Sequence, residues 1–141
     1  MRTRCTAALP FLLVLFLQLI GCSSHQDSGE ELYNEDGLSL NVIYLCNQET
    51  GQRSKMQVRY QSSSDEPIHL STVQEIGEIR GDTVSHTIKP QVTGNLEQVD
   101  PGNVDPGNVD ITVHVYRGRE EIATAIFAAD DHTCRDGDGK R

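Results

Sequence analysis

From Leu38 onward the apolar residues of this chain fall on every second position. Leu40, Val42, Tyr44 and Cys46 alternate in this way, as do Met56, Val58 and Tyr60, and later Val109, Ile111, Val113 and Val115. Successive side chains of a strand point to opposite faces, so a period of two marks a strand with one face buried. Shorter strands are expected at 68–73, 76–80, 83–88, 91–99 and 121–128. Turn signals separate them: Glu49-Thr50-Gly51, residues 62–67, Arg80-Gly81-Asp82, two Asp-Pro-Gly-Asn copies and Arg117-Gly118-Arg119. No window of about a dozen residues carries a helical stripe. The pattern predicts an all-β domain, a small antiparallel β-sandwich (Ig-like) or a barrel of about seven to eight strands.

Ahead of that domain, residues 1–21 read as an export signal. Arg2 and Arg4 supply the positive start, and residues 7–20 form an apolar run short of the roughly 20 residues that span a bilayer. The run ends in Leu19-Ile20-Gly21-Cys22, which resembles the lipobox of bacterial lipoproteins: two aliphatic residues, a small residue, then the Cys that is acylated. The resemblance implies that residues 1–21 are removed and that the mature chain starts at a lipidated Cys22. It implies palmitate among the acyl groups and anchorage to a membrane without spanning it. Ser23 after the lipidated Cys points to the outer membrane, with the periplasmic or surface face left open. The alternative is an ordinary secretory signal in which Cys22 is incidental, and either way the domain is exported. Residues 22–37 are polar and acidic and read as a lipidated start with a flexible tether, residues 38–134 as the β domain, and residues 135–141 as a disordered tail.

Ten Val, eight Ile and five Leu between residues 38 and 134, with one Phe and no Trp, make a modest core in which β-branched residues lead. Small cores often need a covalent staple. With Cys5 in the leader and Cys22 committed to lipid, Cys46 and Cys134 remain, and in an exported domain their disulfide is the default. Closing that loop of about 90 residues is worth roughly 4–5 kcal/mol in the chain-entropy description. The alternative is two buried free thiols. A zinc site fits less well, because these cysteines lack close pairing.

The precursor carries 12 Lys+Arg against 21 Asp+Glu, a net charge of -9. Removal of residues 1–21 takes away two Arg and no acid, which moves the charge to -11. This balance excludes a basic nucleic-acid footprint. A five-residue unit repeats at residues 99–110, and Asp100, Asp105 and Asp110 lie five apart, unlike the closely spaced acids of a calcium loop. The repeat reads as a duplicated surface loop. Asp130, Asp131 and His132 near Cys134 read as a solvated loop, and His114 should point outward between Val113 and Val115. No metal site, cofactor or catalytic residue is assigned: there is no Gly-x-Ser-x-Gly elbow, phosphate-cradling loop or His-Glu-x-x-His.

What remains is a lipid-anchored binding lipoprotein that recognises another protein. A second resemblance bears on the partner. Tyr44-Leu45-Cys46, Val58-Arg59-Tyr60 and a late Cys134 resemble the membrane-bound C-type lysozyme inhibitors, which implies a β-barrel with one end-to-end disulfide. The Ser-Gly-x-x-Tyr loop and the later Lys-Gly motif of that family have no counterpart here. Small β-sandwich pilotins and curli-type anti-amyloid chaperones share the expected architecture alone. The lipobox reading has a direct consequence: Cys22→Ser should abolish labelling by radioactive palmitate and release the protein from the membrane fraction. Labelling that persists in this variant would overturn the assignment.

Overall fold

The computed structural model of the chain describes residues 29–103 and 109–140. The alternating segments are strands: β2 (Leu38–Asn47), β3 (Gln52–Ser62) and β7 (Ile111–Arg117). They bury Leu38, Leu40, Val42, Met56, Val58, Ile111, Val113 and Val115 to 2% exposure or less, each worth roughly 1.5–3 kcal/mol of burial for a full aliphatic side chain. With β1 (Glu30–Glu35), β4 (Ile68–Ile76), β5 (Ile79–Ile88), β6 (Thr93–Val99), β8 (Glu120–Phe127) and β9 (Gly139–Lys140), they form two sheets. One runs β1-β2-β3-β6 with β9 also on β2, the other β5-β4-β7-β8. Every pairing is antiparallel except that of β9 with β2. Their inner faces share one core, to which β4 adds Ile68 and Leu70, β6 adds Leu96 and Val99, and β8 adds Ala123, Ala125 and Phe127. Of the two architectures expected, the sandwich forms, closed by the Cys46–Cys134 disulfide.

Three boundaries differ from the sequence reading. The domain begins before Leu38, because part of the expected tether is β1. The signal for it is Asp36-Gly37, where both residues take positive φ (51° and 74°) and Glu35 pairs with Leu38 across a two-residue hairpin. That turn matches the twist of the strands it joins and admits few residues besides Asn, Asp and Gly. β1 shows no alternation because its apolar residues, Leu32 and Tyr33, are adjacent. A shift of register between Glu31 and Tyr33 lets both pack against the core.

The second difference is at Arg80-Gly81-Asp82, expected as a turn. The chain instead reverses at Gly77-Glu78, between paired Ile76 and Ile79, with Gly77 at φ 59°. The expected strand at 76–80 is thus split by the turn, Ile76 ending β4, and Ile79 and Arg80 join the segment 83–88 in the single strand β5, with Arg80-Gly81-Asp82 inside it. There the register shifts: Arg80 pairs with Glu75 and Thr83 with Val73, so Gly81 and Asp82 together oppose Gln74. This is a β-bulge.

The third is the tail. Residues 132–138 cross the β2–β3 hairpin, with the Arg53 amide donating to His132 O at 2.6 Å and the Cys134 amide to Gly51 O at 3.1 Å. Asp138 accepts from Arg53 Nε at 2.7 Å, Arg53 Nη2 at 2.8 Å and the Arg135 amide at 2.8 Å, with its side chain only 7% exposed. The Arg53 guanidinium also lies 3.8 Å from the centre of the Tyr44 ring. Beyond it, β9 pairs with Leu45 and Cys46 on the same edge of β2 that β1 covers at residues 38–42. Composition missed this order because a disulfide and a two-pronged ion pair, rather than apolar contact, hold the segment.

Burial of Asp138 works to raise its pKa. The bonds from Arg53 and the Arg135 amide, with the charges of both arginines, outweigh it and hold the carboxyl below the ordinary range. A carboxylate whose pKa is depressed by folding contributes fully above its unfolded pKa of about 3.9, and the contribution is lost as pH falls through the lower folded value. Asp138→Asn should therefore cost about 1.5–3 kcal/mol near neutral pH, the range for hydrogen bonds to charged groups. Urea unfolding of both proteins checks this, and the gap should narrow below about pH 4. A gap that is absent at pH 7, or unchanged in acid, would contradict the clasp.

Candidate functional site

β1, β9 and the disulfide occupy one lateral side of the sandwich, where β1 also lies against β8. The other side is formed by the last strands of the two sheets, β5 and β6. β5 pairs with β4 alone, and its first seven residues are all exposed. Two of them are large and apolar, Ile79 at 75% exposure and Val84 at 49%. On its inner side, the start of β5 borders a depression between the two sheets. This groove, of about 310 Å³, is lined by Thr72, Gln74, Ile76, Ile79, Asp82, Val84 and Glu97, among others.

The floor of this groove is a polar cluster that joins the two sheets. Glu97 on β6 accepts the Thr72 hydroxyl on Oε1 and Gln74 Nε2 on Oε2 at 3.1 Å, both from β4. His86 on β5 brings Nε2 to 2.8 Å from Thr72 Oγ1 and to 3.3 Å from Glu97 Oε1. Since the Thr72 proton goes to Glu97, the contact with His86 requires Nε2–H to donate. A hydroxyl, an imidazole and a carboxylate invite comparison with a nucleophilic relay, and the geometry argues against one. In such a relay one ring nitrogen takes the hydroxyl proton while the carboxylate orients the other. Here both partners meet the same nitrogen, and the Thr72 oxygen is buried as a link between sheets. Thr72 is 1% exposed, so this cluster satisfies a hydroxyl that the strand pattern places in the core.

A second cluster stands on the outer face of the β5-β4-β7-β8 sheet. His114 points to that face, as its alternation requires. It is flanked there by Glu75 at 3.3 Å from Nε2 and Glu121 at 3.3 Å from Nδ1, and its side chain is 17% exposed. Hydrogen bonds from Thr124 and then His114 hold the Glu121 carboxyl below its ordinary range. Arg80 joins this face: Nη1 donates to Glu75 at 2.8 Å and Nη2 to the Tyr116 hydroxyl at 3.2 Å.

The residues singled out from sequence distribute as follows. Cys46 and Cys134 are bonded, whereas Cys22 and Asp105 lie outside the described residues. Asp100 pairs with Lys55 at 2.8 Å, and Asp110 accepts the Ala129 amide at 2.8 Å. Those two acids serve separate local contacts. Asp131 pairs with Arg135, and the His132 ring packs 5.0 Å from that of Phe127. Among the described residues no group of three or more His, Cys, Asp or Glu is arranged to hold a metal ion. The sequence reading missed Thr72 and Glu97, whose only signal is a polar residue on the inward phase of a strand. No family model, curated protein or solved structure matches the chain.

Proposed function

We propose that this chain is an exported, lipid-anchored binding domain without catalytic activity, which recognises another protein through β5. The anchor is Cys22, and the location is the cell envelope, at the outer membrane. The observation that carries the reading is the exposure of β5: an edge strand of ten residues whose first seven are exposed, two of them large and apolar, beside a groove between the two sheets. Natural sheets usually shorten or cover their edges, because free backbone groups and apolar side chains invite another chain to pair. Of the four terminal strands, β1, β6, β5 and β8, it is β5 that carries an unbroken run of seven exposed residues. A non-catalytic role is supported by the cluster between the sheets, whose hydroxyl, imidazole and carboxylate groups are spent on each other.

A photo-activated crosslinking residue at Ser85 on β5, compared with one at Thr124 on β8, tests the surface; both positions are exposed. The full lipidated chain is incubated in turn with its own cell envelope and with foreign cells. A discrete protein adduct should form from position 85 and not from position 124. Adducts from position 124, or none from either, would overturn the reading.

A further inference from the structure

The exposed part of β5 contains Arg80-Gly81-Asp82, and the bulge there gives the tripeptide a particular shape. In a regular strand residues 80 and 82 would share a face. Because Gly81 and Asp82 together oppose Gln74, the two charged side chains are turned apart. Arg80 lies on the outer face of its sheet with Glu75 and Tyr116, whereas Asp82 lines the groove on the inner side with Gln74, Ile76 and Val84. Gly81 is required between them, since a Cβ there would stand 2.9 Å from the Gln74 carbonyl oxygen. It also leaves the outer edge of the backbone without a side chain to hold a partner off.

The two charges differ in their ties to the fold: Asp82 has none, and Arg80 holds Glu75 and the Tyr116 hydroxyl at the surface. The Asp82 side chain takes part in no hydrogen bond or ion pair among the described residues and is exposed. The Arg80 side chain is 55% exposed, and its one ion pair, to Glu75, is of the solvent-accessible kind that exchanges readily. Ile79, the most exposed large apolar side chain among the described residues, adjoins them.

We infer that Arg80-Gly81-Asp82 is a recognition epitope for a cell-adhesion receptor that carries a bound divalent cation. The free Asp82 carboxylate completes the coordination of a hard cation, which prefers oxygen ligands and is held in part by a partner's carboxylate. The Arg80 guanidinium enters an acidic pocket on the other side of the receptor cleft, where its planar fork pairs with carboxylate. Opposed directions of the two side chains let one receptor engage both at once. This inference rests on the reading of β5 as the binding surface and adds the class of partner to it.

The test measures binding of the full chain, in detergent, to a panel of purified adhesion receptors that bind Arg-Gly-Asp, with Mn²⁺ present. Saturable binding should appear, should be abolished by EDTA and by a soluble Arg-Gly-Asp peptide, and should weaken about tenfold or more in Asp82→Glu, which keeps the charge but lengthens the arm to the cation. Equal thermal unfolding of the variant and the wild type shows that the loss is local. No cation-dependent binding to any receptor, or equal binding by Asp82→Glu, would overturn the inference and leave the bulge and its charges as protection of the edge against aggregation. If adducts still form from position 85 in that case, only the class of partner falls; if they do not, the β5 surface falls with it.

Discussion

The disulfide between Cys46 and Cys134 ties the end of β2 to a segment with almost no apolar surface of its own. From Asp130 to Arg141 the chain offers Asp, Gly, Arg, His, Thr and Lys, and such a sequence could not offset the entropy of its own ordering. The bond brings the two Cα atoms within 5.7 Å and so holds this segment against the β2–β3 hairpin. Arg53 then reaches Asp138, the Arg53 amide finds the His132 carbonyl, and β9 extends the cover of the β2 edge begun by β1. In the entropy description, cross-linking also limits the unfolded chain, which matters for a core of mostly Val, Ile and Leu.

Closure on that side leaves an asymmetric sandwich. The edge of β2 is covered by two short strands, whereas β5 ends its sheet with seven successive exposed residues. The sheets are still joined there, through Glu97, Thr72, Gln74 and His86, so the groove has a fixed floor. A rigid floor and an exposed edge suit recognition: a partner meets a surface that is already formed, and less is lost to ordering on binding. The Gly81 that lets the bulge form places a carboxylate without internal partners, Asp82, on this same strand.

The parts of this arrangement that follow one strong signal were legible in the sequence. Period-two alternation marked β2, β3 and β7 and placed their inner residues except Val109, which lies before β7 and is exposed. Counting cysteines gave the disulfide. The rest depended on weaker or competing signals. β1 was masked by adjacent Leu32 and Tyr33, although Asp36-Gly37 announced its hairpin. Arg80-Gly81-Asp82 has the composition of a turn, and only the pairing of Ile76 with Ile79 moved the reversal to Gly77-Glu78. The link through Thr72 and Glu97 joins residues on different sheets, which no local pattern reveals.

Covalent closure holds the tail on one side of a formed domain and leaves the outer edge of β5 open. Hydrogen exchange at individual amides, with the disulfide intact and then reduced, tests this most directly. Amides of β2, β3, β4 and β7 should be the most protected in the oxidised protein, with those of β1 and of the clasped segment 132–138 also protected, while β5 amides not bonded to β4 exchange freely. Reduction should release the clasped segment and leave β5 as it was. Protected outer amides on β5, or a clasped segment that stays protected after reduction, would contradict the account.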